Sequence, residues 1–204
     1  MTKQISTIIL AAGASTRMQG TVKQLLAWGK TTLLGNAIEQ AKPVSSQVYV
    51  VLGANAQHIS ESIEIKANVV HNPDWKTGMG SSIAFGIKEV MRSDEIPQGV
   101  LIMLADQPLI DSSFLTELKT NFFDGTGKIV ATEYENRPGV PAIFHHSLYE
   151  ELSGLDQKFG ARKMIAKYKN DCVSIPSMDK SLDVDTIEDY AYIIEKQKIN
   201  NENI

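Results

Sequence analysis

The stretch Ile5-Ser6-Thr7-Ile8-Ile9-Leu10-Ala11-Ala12-Gly13-Ala14-Ser15-Thr16-Arg17-Met18 decides the fold. Its first seven residues, Ile5–Ala11, are apolar or small and largely β-branched, as expected of a strand covered on both faces. The small residues that follow end the strand. Gly13 lets the backbone approach a ligand and aim N–H groups at it, and Arg17 with the later Lys23 adds mobile positive charge. A strand feeding such a loop is the first half of a βα unit. In open α/β sheets ligands bind beyond the C-terminal ends of the strands, which makes this loop a candidate site.

Working outward, apolar runs alternate with segments of helical period. Helix is expected over 33–41, strand over 47–52, helix over 55–65 with Asn55 as its cap, and strand over 67–71. Helix follows over 81–91, strand over 100–104, and helix over 112–121 behind a serine cap at Ser112. Strands at 129–134 and 140–144 read as a hairpin turning through Asn136-Arg137-Pro138-Gly139. A helix over 161–168, a strand over 172–175 and a last helix from 186 to about 196 complete the pattern. Strands alternating with helices imply an α/β fold with a mostly parallel sheet and helices on both faces. Neither a linker nor a repeat interrupts residues 1–198, which read as one domain, and the polar residues 199–204 read as a frayed tail.

Bulk properties narrow the function. The chain has 204 residues, enough to bury a sizeable core, and a formal net charge of −4. That charge argues against a general nucleic-acid surface, so any phosphate must be held locally. No run approaches the roughly 18 apolar residues of a membrane helix, and the N-terminus lacks a signal-peptide pattern. The single cysteine, Cys172, fits a reducing compartment and reads as a buried core thiol. Cytoplasm is the expected location. The four histidines, His58, His71, His145 and His146, have no zinc-ligand spacing with cysteine.

Two phosphate-binding motifs fail. The first loop has one glycine where a dinucleotide fingerprint needs G-x-G-x-x-G, and the second strand ends Val51-Leu52-Gly53-Ala54 without a carboxylate. Gly29-Lys30-Thr31 resembles the end of a P-loop, but Gln24 stands where that motif needs glycine. Other loops carry chemistry. Asp106, in Leu104-Ala105-Asp106-Gln107-Pro108, follows a strand and can serve either a metal bound to phosphates or a turn cap. Asp183 and Asp185, in Leu182-Asp183-Val184-Asp185-Thr186, can serve a metal or cap the last helix. Gly78-Met79-Gly80-Ser81-Ser82 offers N–H groups and hydroxyls at a helix start, suited to a base or sugar edge.

Taken in order, these blocks resemble the L-A-x-G-x-S-x-R-M…K signature of Rossmann-like nucleotidyltransferases, carried here by Leu10 to Met18 and Lys23. Gly78–Ser82, Asp106-Gln107-Pro108, Phe159-Gly160-Ala161-Arg162 and Asp183–Asp189 are similar to further blocks of the molybdenum-cofactor cytidylyltransferase branch. The resemblance implies a Rossmann-like three-layer sandwich of the nucleotide-diphospho-sugar transferase type. It implies that Leu10, Ala11, Ala12 and Gly13, with Gly78, Gly80, Ser81 and Ser82, cradle base and ribose. Arg17 and Lys23 would hold the triphosphate, and Asp106 and Asp185 a magnesium ion. Gln107, Arg137 and Arg162 would face the acceptor. Related guanylyltransferases read L-A-G-G in the first block and carry a different pair after the aspartate, so Ala12 and Gln107-Pro108 favour cytidine. The run Arg137-Pro138-Gly139-Val140-Pro141 departs from the branch's R-G-[HN]-P.

The implied reaction is attack of a molybdopterin phosphate oxygen on the α-phosphorus of CTP, with pyrophosphate released. The nucleophile is already anionic, so alignment and charge neutralisation suffice. CTP and molybdenum cofactor are the expected substrates, and a recipient molybdoenzyme a further partner. Three alternatives stay open: transfer to another phosphorylated acceptor such as a sugar or polyol phosphate, a NAD(P)H oxidoreductase on the same scaffold, and a non-catalytic cofactor-binding protein.

Overall fold

All seven residues of strand β1 (Ile5–Ala11) are buried, and the remaining elements are arranged about it. In the computed structural model, which describes residues 3–18, 20–135, 137–155, 160–177, 180 and 182–202, β1 is followed by a short hairpin of β2 (Ala27–Trp28) and β3 (Thr31–Thr32) and by α1 (Leu33–Ala41). Then come β4 (Val48–Leu52), α2 (Ala56–Ser62), β5 (Asn68–His71), α3 (Met79–Met91), β6 (Gly99–Leu104) and α4 (Ser112–Asp124). The second half holds β7 (Ile129–Tyr134), β8 (Arg137–His145), α5 (Tyr149–Ser153), α6 (Ala161–Lys167), β9 (Cys172–Pro176) and α7 (Ile187–Glu202).

The main sheet runs β5-β4-β1-β6-β8-β7-β9. β5, β4, β1 and β6 are parallel, β8 is antiparallel to both its neighbours, and β9 is parallel to β7. The two-residue period of β1 divides its side chains between two cores. Ile5 and Ile9, with Val50, Leu52 and Met103, pack under Leu34 and Ile38 of α1 and Phe114 and Leu118 of α4. Ile8 and Leu10, with Val51 and Ile102, pack under Ile83 and Ile87 of α3, Leu152 of α5 and Met164 of α6. Each fully buried leucine or isoleucine contributes about 1.5–3 kcal/mol, so the two cores hold the three layers together. This is the expected Rossmann-like sandwich. A third, smaller cluster of Met18, Trp28, Leu33, Val184 and Ile193 fastens the loop after β1 to the segment before α7.

Several local expectations are corrected. Asn55 occupies the N-cap position of α2 but makes no capping bond, and its Nδ2 is buried without a partner among the described residues. That helix ends at Ser62, because Ile63 and Ile65 leave helical register to pack against the first core. The cap of α4 is Asp111, whose carboxylate accepts the N–H of Phe114 at 2.9 Å, and Ser112 lies inside the helix. The β7–β8 turn falls at Glu135, with a φ of 40°, so Arg137, Pro138 and Gly139 are already paired with Tyr134, Glu133 and Thr132. Asn136 lies outside the described residues. Cys172 opens edge strand β9 and is only partly buried. Helix α7 continues to Glu202, through most of the stretch expected to fray. Among the described residues no helix is long and apolar enough to cross a membrane.

Candidate active site

Beyond the C-terminal end of β1, every carbonyl from Leu10 to Gly13 is engaged by the protein. Leu10 O accepts from Ala105 N at 3.2 Å, and Ala12 O from Ala54 N at 3.1 Å. Ala11 O and Gly13 O both accept from one side-chain amide, Gln24 Nε2, at 2.9 and 3.2 Å. Residues alternate in direction along extended backbone, so Ala12 turns toward β4 and its two neighbours toward Gln24. Gly53 makes this approach possible: a Cβ there would stand 2.7 Å from Ala12 O and 2.6 Å from Trp75 Cβ.

The charged residues converge beside this loop. Lys23 lies in a 3₁₀ turn, Lys23–Leu25, and its ammonium pairs with Asp106 Oδ2, with Asp185 Oδ1 at 3.4 Å, and with Val184 O at 3.5 Å. Arg17 approaches the other oxygen of Asp185 at 3.1 Å. Fully buried Val184 explains how a C-terminal segment reaches this point: its N–H donates to Asp106 O at 2.8 Å while its side chain fills the third cluster. The helix-capping work falls to the pair that follows. Asp189 Oδ2 accepts from Thr186 N at 2.8 Å and from Asp185 N at 3.2 Å, while Thr186 Oγ1 accepts from Asp189 N at 3.1 Å. Asp185 is thereby left to the cations.

Asp183 is held differently. Gln107, itself buried, donates from Nε2 to Asp183 Oδ1 at 2.8 Å and to Tyr134 Oη at 2.7 Å, and Tyr134 donates to Val140 O. Burial raises the Asp183 carboxyl above its ordinary range, and the nearby Asp106 and Asp185 add to the effect against the Gln107 hydrogen bond. Burial likewise pushes the Tyr134 phenol up to about 12.

The opposite wall is the turn into α3. Gly78 has a φ of 127°, a conformation open to glycine and strained for other residues. Buried Asn72 donates from Nδ2 to both Ser81 Oγ and Ser82 Oγ at 3.0 Å, and its Oδ1 accepts from Asp74 N at 2.9 Å. The two hydroxyls thus brace the turn.

A cavity of about 490 Å³ lies between these walls. It is lined by Leu10, Ala11, Ala12, Gly13, Arg17, Lys23, Gly78, Ser82, Asp106 and Asp185 from the sequence-based set, and also by Gln24, Trp75, Met79 and Asp183. Gly80, Ser81 and Gln107 are not among the lining residues. Arg162 is exposed in the first turn of α6, close enough for its charge to favour ionisation of Tyr134, and Arg137 is exposed on β8 away from the lining. Phe159 lies outside the described residues. Gln24 and Asn72 escaped sequence reading as site residues. The only signals were a polar residue beside Lys23 and an Asn immediately after a strand.

Among the described residues no three His, Cys, Asp or Glu side chains form a metal cage. A hard cation here would therefore use two carboxylates and complete its shell from substrate phosphates and water. Asp106 fits that use, because its Oδ1 is buried and has no hydrogen-bond partner among the described residues.

Nicotine blue oxidoreductase of Paenarthrobacter nicotinovorans is 28% identical to the chain over 196 residues, covering 90% of this chain and 93% of that protein. Molybdenum cofactor cytidylyltransferase of Escherichia coli strain K12 is 23% identical, covering 91% and 93%. The crystal structure of Rv0371c from Mycobacterium tuberculosis in complex with manganese superposes with a TM-score of 0.75 at 25% identity, over 94% of this chain and 98% of that one. The model of the MobA-like NTP transferase domain matches residues 7–172, so the chain belongs to that nucleotidyltransferase family.

Proposed function

We propose that the protein is a divalent-metal-dependent cytidylyltransferase that transfers CMP from CTP to the phosphate of molybdenum cofactor and releases pyrophosphate. The observation that carries this reading is the convergence of Lys23 and Arg17 on Asp106 and Asp185 at the mouth of a Gly-lined cavity. The similarity to a molybdenum cofactor cytidylyltransferase supports the choice of base and acceptor.

Asp106 and Asp185 would hold magnesium, consistent with the orphaned Asp106 Oδ1. When bound, the ion supplies Lewis-acid neutralisation of phosphate charge. The chain's own residues do the rest. Lys23, already facing the carboxylates, moves its ammonium to the phosphates and neutralises charge on the departing pyrophosphate. Arg17, exposed and paired with Asp185, would add its charge to the same phosphates. The Leu10–Gly13 backbone and the Gly78–Ser82 turn hold base and ribose, so the α-phosphorus is presented in line with the acceptor oxygen. In this reading Gln107, Arg162 and Arg137 would face the acceptor. The acceptor phosphate is ionised at neutral pH, so no side chain has to remove a proton.

The similarity to an oxidoreductase supports a second reading, oxidoreduction, for which a NAD(P)H-dependent reaction is the form the scaffold suggests. A hydride transfer has no use for paired carboxylates bridged by a lysine, and the dinucleotide fingerprint is missing. Titration with NADH and NADPH, monitored by fluorescence, separates the two. Pyrophosphate release from CTP with molybdenum cofactor, against a panel of sugar and polyol phosphates, tests the acceptor: turnover confined to the sugar or polyol phosphates would reject the cofactor.

A further inference from the structure

We infer that Gln24 is a positioning residue that sets both base selectivity and the placement of Lys23. The inference rests on the nucleotidyltransferase reading and extends it to a residue outside the phosphate- and metal-binding set.

Gln24 is 2% exposed, and its side-chain amide is used on both sides. Its NH₂ group donates to Ala11 O and Gly13 O, the carbonyls on either side of Ala12. Two carbonyl acceptors on one side fix which end of the amide is nitrogen. Its Oε1 accepts from Ser15 Oγ at 3.2 Å, and Ser15 Oγ in turn accepts from Lys23 N at 3.2 Å. Ser15 has a φ of 54°, the left-handed region that non-glycine residues rarely adopt. A residue persists there when its surroundings over-determine it, and these two hydrogen bonds supply that constraint.

One side chain therefore ties the backbone around Ala12 to the turn that carries Lys23. Its two carbonyl contacts hold Ala12 in the orientation in which its own carbonyl meets Ala54 N, fixing how close this wall stands to a base. Its third contact runs through Ser15 to the Lys23 backbone. The two functions are separable, because Ser15 lies only on the second path.

The test compares Gln24→Met, Gln24→Glu and Ser15→Ala at a temperature where each is folded by circular dichroism. Equilibrium binding of CTP, GTP, ATP and UTP and pyrophosphate release are both measured. Gln24→Met removes all three hydrogen bonds at similar size, and Gln24→Glu sets a carboxylate against two carbonyls. Both are expected to lower the CTP:GTP affinity ratio about tenfold or more, because a misplaced hydrogen-bonding edge forfeits discrimination. Ser15→Ala is expected to lower kcat and leave that ratio within about twofold. A general loss of stability would not change a ratio between nucleotides. Folded Gln24 variants with the wild-type ratio would overturn the inference. Failure of the wild-type protein to bind any nucleotide would instead remove the functional reading on which it rests.

Discussion

Lys23 and Asp106 form an ion pair whose side chains are only 16% and 15% exposed, and the same ammonium reaches Asp185. Asp106 and Asp185 are also the carboxylates proposed to hold the metal, so on that proposal lysine and metal would compete for them until phosphate draws the lysine away. Manganese titration without nucleotide checks this. Lys23→Met should bind Mn²⁺ about tenfold or more tightly than wild type, since a partly desolvated unit charge is removed from both carboxylates. Arg17→Met, which removes an ion pair to Asp185 but leaves Lys23 on both carboxylates, should have a smaller effect. Equal affinities for Lys23→Met and wild type would contradict the assignment.

In turnover, Lys23→Ala should lower kcat far more than it weakens CTP binding, because charge accumulates on the leaving pyrophosphate in the transition state. Steady-state kinetics alongside equilibrium binding separates the two effects. A change confined to KM would show that Lys23 only tethers the substrate.

Asp106→Ala and Asp185→Ala should each abolish turnover, a loss of several kcal/mol of transition-state stabilisation and roughly 10³-fold in rate. Asp183→Ala should be milder, since Gln107 already claims one of its oxygens. Near wild-type rates for Asp106→Ala at saturating magnesium would remove the metal assignment.

Asp183 also predicts a pH dependence. Its carboxyl titrates above the ordinary value of 3.8 in the fold, so the ionised form is disfavoured there. The unfolded chain releases this proton first as pH rises. Stability is therefore lost from about the ordinary value up through the folded one, and the deficit persists at neutral pH. Asp183→Asn keeps an acceptor for Gln107 and removes the charge. Its melting temperature should exceed that of wild type at pH 7, and the gap should close below pH 3.8. An equal melting temperature at pH 7 would contradict the raised carboxyl.

If cytosine sits against the Ala12 wall as proposed, Ala12→Gly should weaken discrimination between CTP and GTP by opening room for the larger guanine. Competition binding gives the ratio directly. One methyl group is a small change, so loss of preference is the expected result, rather than reversal.

Much of the fold was legible because β1, β4 and β6 are apolar on both faces, a pattern that buried parallel strands impose. The β7–β8 turn was misplaced because Pro138-Gly139 carries stronger local turn chemistry than Glu135, and only cross-strand pairing decides between them. The charged site residues were legible as carboxylates and cations following strands. Gln24 and Asn72 were not, because a buried amide matters through the groups it reaches, backbone carbonyls for Gln24 and the Ser81 and Ser82 hydroxyls for Asn72, and those contacts exist only once the chain is folded. The distinction between Asp183 and Asp185 likewise depended on Gln107 and Val184 rather than on spacing.

Pyrophosphate release with magnesium and molybdenum cofactor, measured separately with CTP, GTP, ATP and UTP, tests the central claim most directly. Turnover with CTP well above the other three, abolished in Asp106→Ala, is the predicted result. Equal use of GTP would contradict the cytidylyltransferase reading, and no release with any nucleotide or phosphorylated acceptor would contradict nucleotidyl transfer by this site.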